Sequence, residues 1–528
     1  MDVDQNGIRA AWRAFAVAAQ PMLDTWQGAL EEPAVAQQRR LMKLLADNSE
    51  SAFGRAHGFA RISDPVQFRE RVPIHTYADL LPWIERAQRE TQPVLTAQSP
   101  RFFERTSGNS AQQKLIPYTQ TFLDEIQVAL TIWLADLYRC LPAIAAGRAY
   151  WSMSPPMQPS VNALNGIPIG SESDLDYLGG SLLAGLAATL IIPPFAQEAS
   201  AWRAQTLLAL VAAEDLSLIS VWSPTFLTSL LRPLFDVGDP AHVGILALLD
   251  AALPPSRKSA LRQTLTTGMC DALWPRLAAV SCWMDGPSRN FATQLQARFP
   301  HALWLPKGLF ATEGVVSLPY GTGAGCPLAI ESHFLEFLFD DGSVHDAASL
   351  RPGDSAQIIL TTGGGLYRYA LGDRVRVAAM SNCTPRIEFV GRSGVTSDLV
   401  GEKLDEDSVA SILSSILASS DSACLVPCVT AVRPHYVLLV ASGEHCNSEE
   451  LRCAVERALE GSFHYAHARR LEQLGPLRIR VLTGSSAKLA DALQQAAEQS
   501  GIRAGDVKPR VLINRLTTAN ALLALTDT

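Results

Sequence analysis

Apolar residues recur at helical spacing from Ile8 to Trp26 and again from Thr119 to Leu141, where Pro142 stops the pattern. Up to about Pro100 the chain reads as short amphipathic helices, separated at Ser63-Asp64 and Pro73-Ile74. Arg148 to Met153 has strand character, and from there helix and strand alternate. Gln205 to Ala213 predicts a helix and Leu216 to Trp222 a strand. Ser223-Pro224 then opens a helix with an N-cap serine and a proline at the first position. Ala278 to Trp283 repeats the strand and Ser288 to Arg298 the helix. Such alternation implies a parallel or mixed sheet flanked by helices, with ligands at its strand ends. Antiparallel signals follow: Leu335 to Phe339 with the turn Asp340-Asp341-Gly342, then Ala356 to Thr362 and Ile387 to Arg392.

The polar, glycine-bearing run Ser393 to Asp398 reads as a linker, after which the character changes. Glu406 to Ile416, Ser448 to Leu459 and Ala487 to Ser500 predict helices. Val426 to Val440 predicts a hairpin turning near Pro434-His435, and Leu477 to Leu482 a strand. The expected fold class is therefore α/β with mixed α+β character. A large N-terminal domain spans 1–392, a hinge 393–400, and a small α+β domain 401–528.

Composition narrows the class. At 528 residues the chain exceeds one core, and 48% hydrophobic against 18% charged residues describes a globular protein. A net charge of −8 gives no general attraction to nucleic acid or anionic membrane. Nine scattered cysteines without a C-x-x-C fit reduced thiols, and His464 with His467 lacks the neighbours of a metal site. Met1-Asp2-Val3-Asp4 carries acid where a signal peptide needs base. The most apolar run, Leu182 to Ile192, ends at Pro193-Pro194, short of the ~18 residues of a membrane span. A cytoplasmic location is expected.

Four stretches carry candidate chemistry. Thr106-Ser107-Gly108-Asn109-Ser110, followed by Lys114, offers backbone N–H groups, hydroxyls, an amide and an ammonium to an anion such as a nucleotide phosphate. A polar surface turn accounts for the same residues, and the P-loop pattern is absent because no second glycine adjoins the lysine. Thr312-Glu313 pairs a phosphate-donating hydroxyl with a carboxylate able to ligate Mg2+; a helix N-cap reads identically. Asp373 after Gly372 fits a ribose-binding carboxylate or a turn aspartate. Lys508 before Pro509 is a phosphate-reaching ammonium or a solvated charge.

In this order the four resemble the motifs of the Gretchen Hagen (auxin-responsive promoter) family of acyl-acid amido synthetases, within the adenylate-forming superfamily. The similarity runs from about Phe103 to Val511. It is strongest at Lys307 to Gly314, at Gly365 to Tyr369 through Gly372-Asp373, and at Ser397 to Leu404. Ser220 to Pro224 and Cys282 to Gly286 also look like family segments. The chain departs from the usual first motif, with Asn109 where threonine is commonest and Ala111 where glycine is common.

The resemblance implies a large N-terminal domain, a small mobile C-terminal one and an ATP site between them. Thr106, Ser107, Gly108, Asn109 and Ser110 would grip the phosphates. Phe310, Ala311, Thr312 and Glu313 would border adenine and the α-phosphate, with Glu313 near Mg2+. Asp373 would hold the ribose, Arg392 occupies the place of the hinge arginine, Lys403 follows the hinge, and Lys508 would swing in over the phosphates. Trp222, Ser223 and parts of Asn162 to Gly180 would wall the acid pocket. The implied reaction activates a carboxylic acid as acyl-AMP and passes it to an amine, such as an amino acid. A hydroxyl or thiol acceptor, a different ATP-dependent ligase and a non-catalytic nucleotide-binding module are the rival readings.

Overall fold

The computed structural model describes residues 5–106, 114–152, 161–170, 185–194, 198–392, 395–418, 421–429, 433–442, 447–483, 486–500, 502 and 507–526. They fall into two units. The first comprises Met1–Arg148, Pro156–Leu190 and Pro306–Val390, the second Ala149–Pro155, Ile191–Leu305 and Gly391–Thr528.

The first unit begins with the helix Gln5–Glu31, whose inward stripe Ile8, Trp12, Phe15, Ala19, Leu23 and Trp26 follows the predicted period. The helix Gln120–Cys140 starts where expected, because the Thr119 hydroxyl accepts from the Phe122 N–H at 3.1 Å. A six-stranded sheet has the order Cys326–Pro327, Thr384–Arg392, Tyr369–Ser381, Ser355–Thr361, Phe334–Leu338, Val344–Asp346. Antiparallel pairing joins Cys326–Pro327 to Thr384–Arg392, Phe334–Leu338 to Val344–Asp346 and to Ser355–Thr361, and Ser355–Thr361 to Tyr369–Ser381. A smaller sheet orders Leu115–Tyr118, Phe102–Arg105, Pro168–Ile169 and Val161–Asn162, with the first two antiparallel. They flank the predicted phosphate loop, whose Ser107 to Ser110 lie outside the described residues, as do Ala111 to Gln113.

The second unit contains the predicted β–α alternation. Leu216–Ser220 and Ala279–Cys282 pair in parallel, with Ile219 opposite Val280, and every residue of both strands is buried. Burial on both faces is usual for parallel strands, and here it includes the small polar residues Ser217, Ser220 and Ser281. The same unit holds the C-terminal sheet, where Ser422–Cys428 runs antiparallel to His435–Ser442 and the latter parallel to Arg478–Thr483. The predicted hairpin is present: its second strand begins at His435, with Pro434 the last residue of the connection.

Four helices escaped the pattern: His242–Ala252, Pro255–Thr267, Phe463–Arg470 and Leu516–Leu525. The first is almost uniformly apolar and the second almost uniformly polar along its length, so neither shows a clear amphipathic period. The C-terminal helix Ser486–Gln499 packs beside Pro224–Phe235, and an apolar cluster joins Phe291 to Val426, Leu439 and Leu493. Residues beyond Gly391 therefore share a core with residues 191–305. No disulfide joins the described cysteines, and no helix among the described residues is long and apolar enough to cross a membrane.

Candidate active site

In the first unit the candidate residues converge on the strand Leu115–Tyr118. At its near end, the Thr106 N–H donates to the Lys114 carbonyl at 3.0 Å, closing the base of the predicted phosphate loop. The Thr106 side chain is buried, and its Oγ1 has no hydrogen-bond partner among the described residues. A buried hydroxyl left in that state costs free energy unless something else engages it. Lys114, read from sequence as the countercharge, has its ammonium 5.5 Å from the Tyr77 ring centroid and 5.6 Å from that of Tyr369, and it donates to Tyr369 Oη at 2.9 Å. Both rings attract the cation through their π faces.

Phe310–Ala311 and Gly314–Val315 pair as a hairpin, and Thr312-Glu313 is its two-residue turn. The helix N-cap reading of these residues is thereby overturned. Tyr118 Oη donates to the Thr312 carbonyl at 2.7 Å, which anchors the turn to the far end of the strand that begins beside Lys114. Glu313 is buried although it occupies a turn. Its charge reaches Tyr77, whose hydroxyl is pushed above the usual tyrosine range first by burial, with Glu313 adding in the same direction. The Leu115 N–H donates to that hydroxyl at 2.8 Å. Phosphate loop base, hairpin turn and tyrosine pair are thus tied together through a four-residue strand.

Asp373 is buried in the long strand Tyr369–Ser381. Its register shows why a carboxylate sits there. Gln357 faces Arg374 and Ile359 faces Ala370, so the longer strand carries extra residues between those pairs, a bulge that contains Gly372 at φ +85°. Glycine adopts that conformation without strain, and a bulge re-aims the neighbouring side chain. The turn-aspartate reading gives way to a strand bulge.

Behind these residues, Gly363-Gly364-Gly365 lies against the start of the helix Gln120–Cys140. A Cβ on Gly364 would stand 2.5 Å from the Pro117 carbonyl, and one on Gly363 would stand 2.6 Å from Thr121 Cγ2. The Gly363 N–H donates to buried Glu125, at 2.9 Å to Oε2, and its carbonyl accepts from Thr119 Oγ1 at 2.8 Å. Glu125 also pairs with Arg40 and with His333 Nδ1, the latter at 2.8 Å. Sequence reading missed Tyr77, Tyr118 and Glu125 as members of this assembly, and it quoted Tyr369 within the Gly365 to Tyr369 motif without giving it a role. Tyr118, directly after Pro117 in a motif-flanking strand, was a further available signal.

The second unit carries Arg392, Lys403 and Lys508. Arg392 ends the strand Thr384–Arg392. Lys403 is exposed at φ +46°, a backbone conformation uncommon for residues other than glycine, and follows buried Glu402. Glu402 accepts from the N–H groups of Leu399 at 2.8 Å and Val400 at 2.9 Å and from Tyr436 Oη, which pins the tight loop. Within the predicted hinge, Thr396–Ser397 pairs antiparallel with Leu404–Asp405. Lys508 is half-buried, with its ammonium 5.2 Å from the centroid of the Trp283 ring. Trp283 follows the parallel strand Ala279–Cys282, and Trp222 lies just beyond its neighbour Leu216–Ser220, their centroids 6.1 Å apart. Ser223 does not cap the next helix with its side chain; its Oγ bonds Thr225 Oγ1 at 2.6 Å.

No group of three or more His, Cys, Asp or Glu side chains among the described residues is arranged to hold a metal ion. Glu313 could contribute a single carboxylate. That donor set suits Mg2+, which retains water and phosphate oxygens and takes one or two protein carboxylates.

Comparison with known proteins finds family matches along most of the chain. Residues 23–237 match the GH3 family N-terminal domain, 326–392 its central domain and 407–517 its C-terminal domain. Among curated proteins, the probable indole-3-acetic acid-amido synthetase GH3.12 of Oryza sativa subsp. japonica is 24% identical, over 84% of this chain and 86% of that one. The indole-3-acetic acid-amido synthetase GH3.8 of Oryza sativa subsp. indica is 23% identical, over 84% and 83%. Among solved structures, the AtGH3.15 acyl acid amido synthetase in complex with 2,4-DB superposes with a TM-score of 0.77 at 17% identity, covering 97% of this chain and 96% of that one. A 2-hydroxyisobutyryl-CoA ligase in its postadenylation state gives 0.53 at 12% identity, covering 94% and 92%. These similarities show a shared fold.

Proposed function

Because the chain belongs to the GH3 family, we propose that it is an ATP-dependent acyl-acid amido synthetase. A carboxylate is a poor acyl donor, since the group leaving from it would be oxide. In the first half-reaction a carboxylate oxygen attacks the α-phosphorus of ATP, the bond to the β-phosphate oxygen breaks, and acyl-AMP and pyrophosphate result. In the second, an amine attacks the acyl carbon, AMP departs with the bonding pair, and the ammonium proton is lost as the amide forms.

The observation that carries this reading is the convergence of Thr106, the Tyr118-anchored Thr312-Glu313 turn and the Tyr77–Lys114–Tyr369 cation site on one short strand. Phosphoryl transfer depends on positioning and charge stabilisation, which such preset donors supply. In our reading Thr106 to Ser110 bind phosphate oxygens, Phe310 to Glu313 border the adenine and α-phosphate, and Asp373 binds the ribose hydroxyls. Arg392 and Lys403 serve the change between half-reactions at a hinge over 393–400, and Lys508 supplies an ammonium to the phosphates. That functional division into 1–392 and 401–528 cuts across the second compact unit. Glu313 would be the protein's ligand to Mg2+, which when bound offsets phosphate charge. The acyl donor is a small carboxylic acid and the acceptor an amine such as an amino acid. The names of the curated relatives, which pair indole-3-acetic acid with amido synthesis, support that class.

Pyrophosphate exchange over a panel of carboxylic acids, followed by product mass with amino acids added, tests the proposal. An acid-dependent exchange and an amide product are expected. Lys508→Ala should lower exchange by about 10²–10³-fold, the scale for one preorganised donor. Exchange with no acid in the panel, or a thioester or ester as the product, would overturn the assignment.

A further inference from the structure

Among the described residues, Arg368, Asn382, Lys403 and Glu472 take a left-handed backbone without being glycine. Asn382, Lys403 and Glu472 are exposed, whereas Arg368, at φ +47°, is buried. That conformation is disfavoured for an arginine and persists in a core only where the surroundings over-determine it. Here they do so through both backbone and side chain. The Arg368 N–H donates to Thr361 Oγ1 at 2.9 Å, and its carbonyl accepts from the His75 N–H at 2.9 Å. Its Nε donates to Glu336 Oε2 at 2.9 Å, and its Nη1 donates to the carbonyls of Val72 at 2.8 Å and Arg69 at 3.2 Å. Those carbonyls close the C-terminal end of the helix Pro65–Arg71, where a cation is favoured. The other oxygen of buried Glu336 accepts from Arg69 Nε at 2.8 Å. One carboxylate on the strand Phe334–Leu338 thus ties two guanidinium groups together.

We propose that Arg368 is the positioning residue for Tyr369: its guanidinium, clamped by Glu336 and the helix end, holds the backbone turn that places the Tyr369 hydroxyl at Lys114. The two tyrosines beside it are sent to separate partners. Tyr367 Oη donates to the Leu95 carbonyl at 3.0 Å and its ring stacks on Phe53 at 4.8 Å, while Tyr369 Oη accepts from Lys114 Nζ at 2.9 Å. Directly after the turn, the Ala370 N–H donates to the His75 carbonyl at 2.9 Å, and Tyr369 enters its strand opposite Leu360. Glycine would take such a φ freely, as Gly365 at +93° and Gly372 at +85° do on either side. Arginine at 368 carries the strain and adds the anchor that glycine lacks. The consequence for ATP rests on the amido-synthetase reading above, since Lys114 closes the base of the loop assigned there to the phosphates.

The test compares pyrophosphate exchange, melting temperature and amide hydrogen exchange of the full-length wild type, Arg368→Gly, Arg368→Lys, Tyr369→Phe and the Arg368→Gly/Tyr369→Phe double variant. Arg368→Gly leaves the left-handed backbone accessible and Glu336 still paired with Arg69, so the fold should survive. Its KM for ATP should rise about tenfold, the scale of one hydrogen bond to a charged group, while the KM for the acid hardly moves. Arg368→Lys, whose ammonium can still meet Glu336, should recover part of the loss, and it carries the comparison if the glycine variant does not fold. In the Tyr369→Phe background, Arg368→Gly should add little. Wild-type ATP kinetics in Arg368→Gly would overturn the proposal. So would losses that multiply in the double variant, or KM values for ATP and acid that rise together, the mark of a general structural defect. A wild type inactive with every acid would strike the enzymatic reading instead. The positioning itself is then read from the amides of 366–370, which must exchange about tenfold faster in Arg368→Gly than in the wild type while the rest of the sheet is unchanged; equal protection there refutes it.

Discussion

Asp491 offers the sharpest test of how charge and burial balance in the second unit. It lies on the helix Ser486–Gln499, only 4% exposed, with Oδ2 3.2 Å from Arg232 Nη1 on the neighbouring helix Pro224–Phe235. An ion pair at that distance favours the carboxylate. Burial opposes it and prevails, because the same guanidinium is shared with Asp236 and Asp239, each 3.2 Å from its Nε, and both add like charge. Arg203, which pairs with Glu498, helps only weakly from a distance. The Asp491 carboxyl is thereby pushed up to about 7 from an ordinary 3.8.

The sign follows from linkage. Between pH ~4 and ~7 the folded chain binds a proton at Asp491 that the unfolded chain has released, so stability falls as pH rises through this window and levels off above it. A shift of three units corresponds to a ceiling of about 4 kcal/mol at pH 8, at about 1.4 kcal/mol per unit. Asp491→Asn removes the charge and forfeits the pairing with Arg232, so a net gain of about 1–2 kcal/mol at pH 8 is expected, against almost none at pH 5. Melting temperature or urea midpoint, followed from pH 5 to 8.5 for both proteins, should diverge as pH rises, with the variant on top. A variant less stable than wild type at pH 8, or a difference independent of pH, would mean that the Arg232 pairing outweighs desolvation.

The remaining expectations concern the first unit and the thiols. Gly364→Ala puts a Cβ 2.5 Å from a backbone carbonyl, so it should lower the melting temperature by several degrees, on the scale of a core overpacking of about 2 kcal/mol; an unshifted melting curve would refute the close packing of that loop. Tyr118→Phe removes the 2.7 Å bond to the Thr312 carbonyl and should raise the KM for ATP several-fold at a stability cost of about 1 kcal/mol; an unchanged KM would separate the turn from nucleotide binding. The Cys270 thiol, pushed up to about 12 by burial, should resist a thiol reagent at pH 8 until the protein unfolds. Exposed Cys383 and Cys453 should label at once, and early labelling of Cys270 would contradict its burial.

Local patterning determined most of the elements. Glu406–Ile416 and Ser448–Leu459 form at the expected bounds, because helical periodicity and the Asp405 and Asn447 caps are properties of neighbouring residues. The β–α alternation likewise announced the parallel pair Leu216–Ser220 and Ala279–Cys282. The chemistry was legible only as a set of small motifs, each with an ordinary local alternative. Tertiary structure decided among those alternatives, since the deciding contacts lie far apart in sequence. Thr312-Glu313 becomes a hairpin turn held by a tyrosine 194 residues away. Asp373 sits in a bulge visible only through its register with another strand, and Lys508 rests on an indole from the other end of its unit. Dihedral preference and side-chain period act over a few residues and can be read along the chain, whereas register, burial and cation–π contact exist only after folding has closed the long loops between their partners.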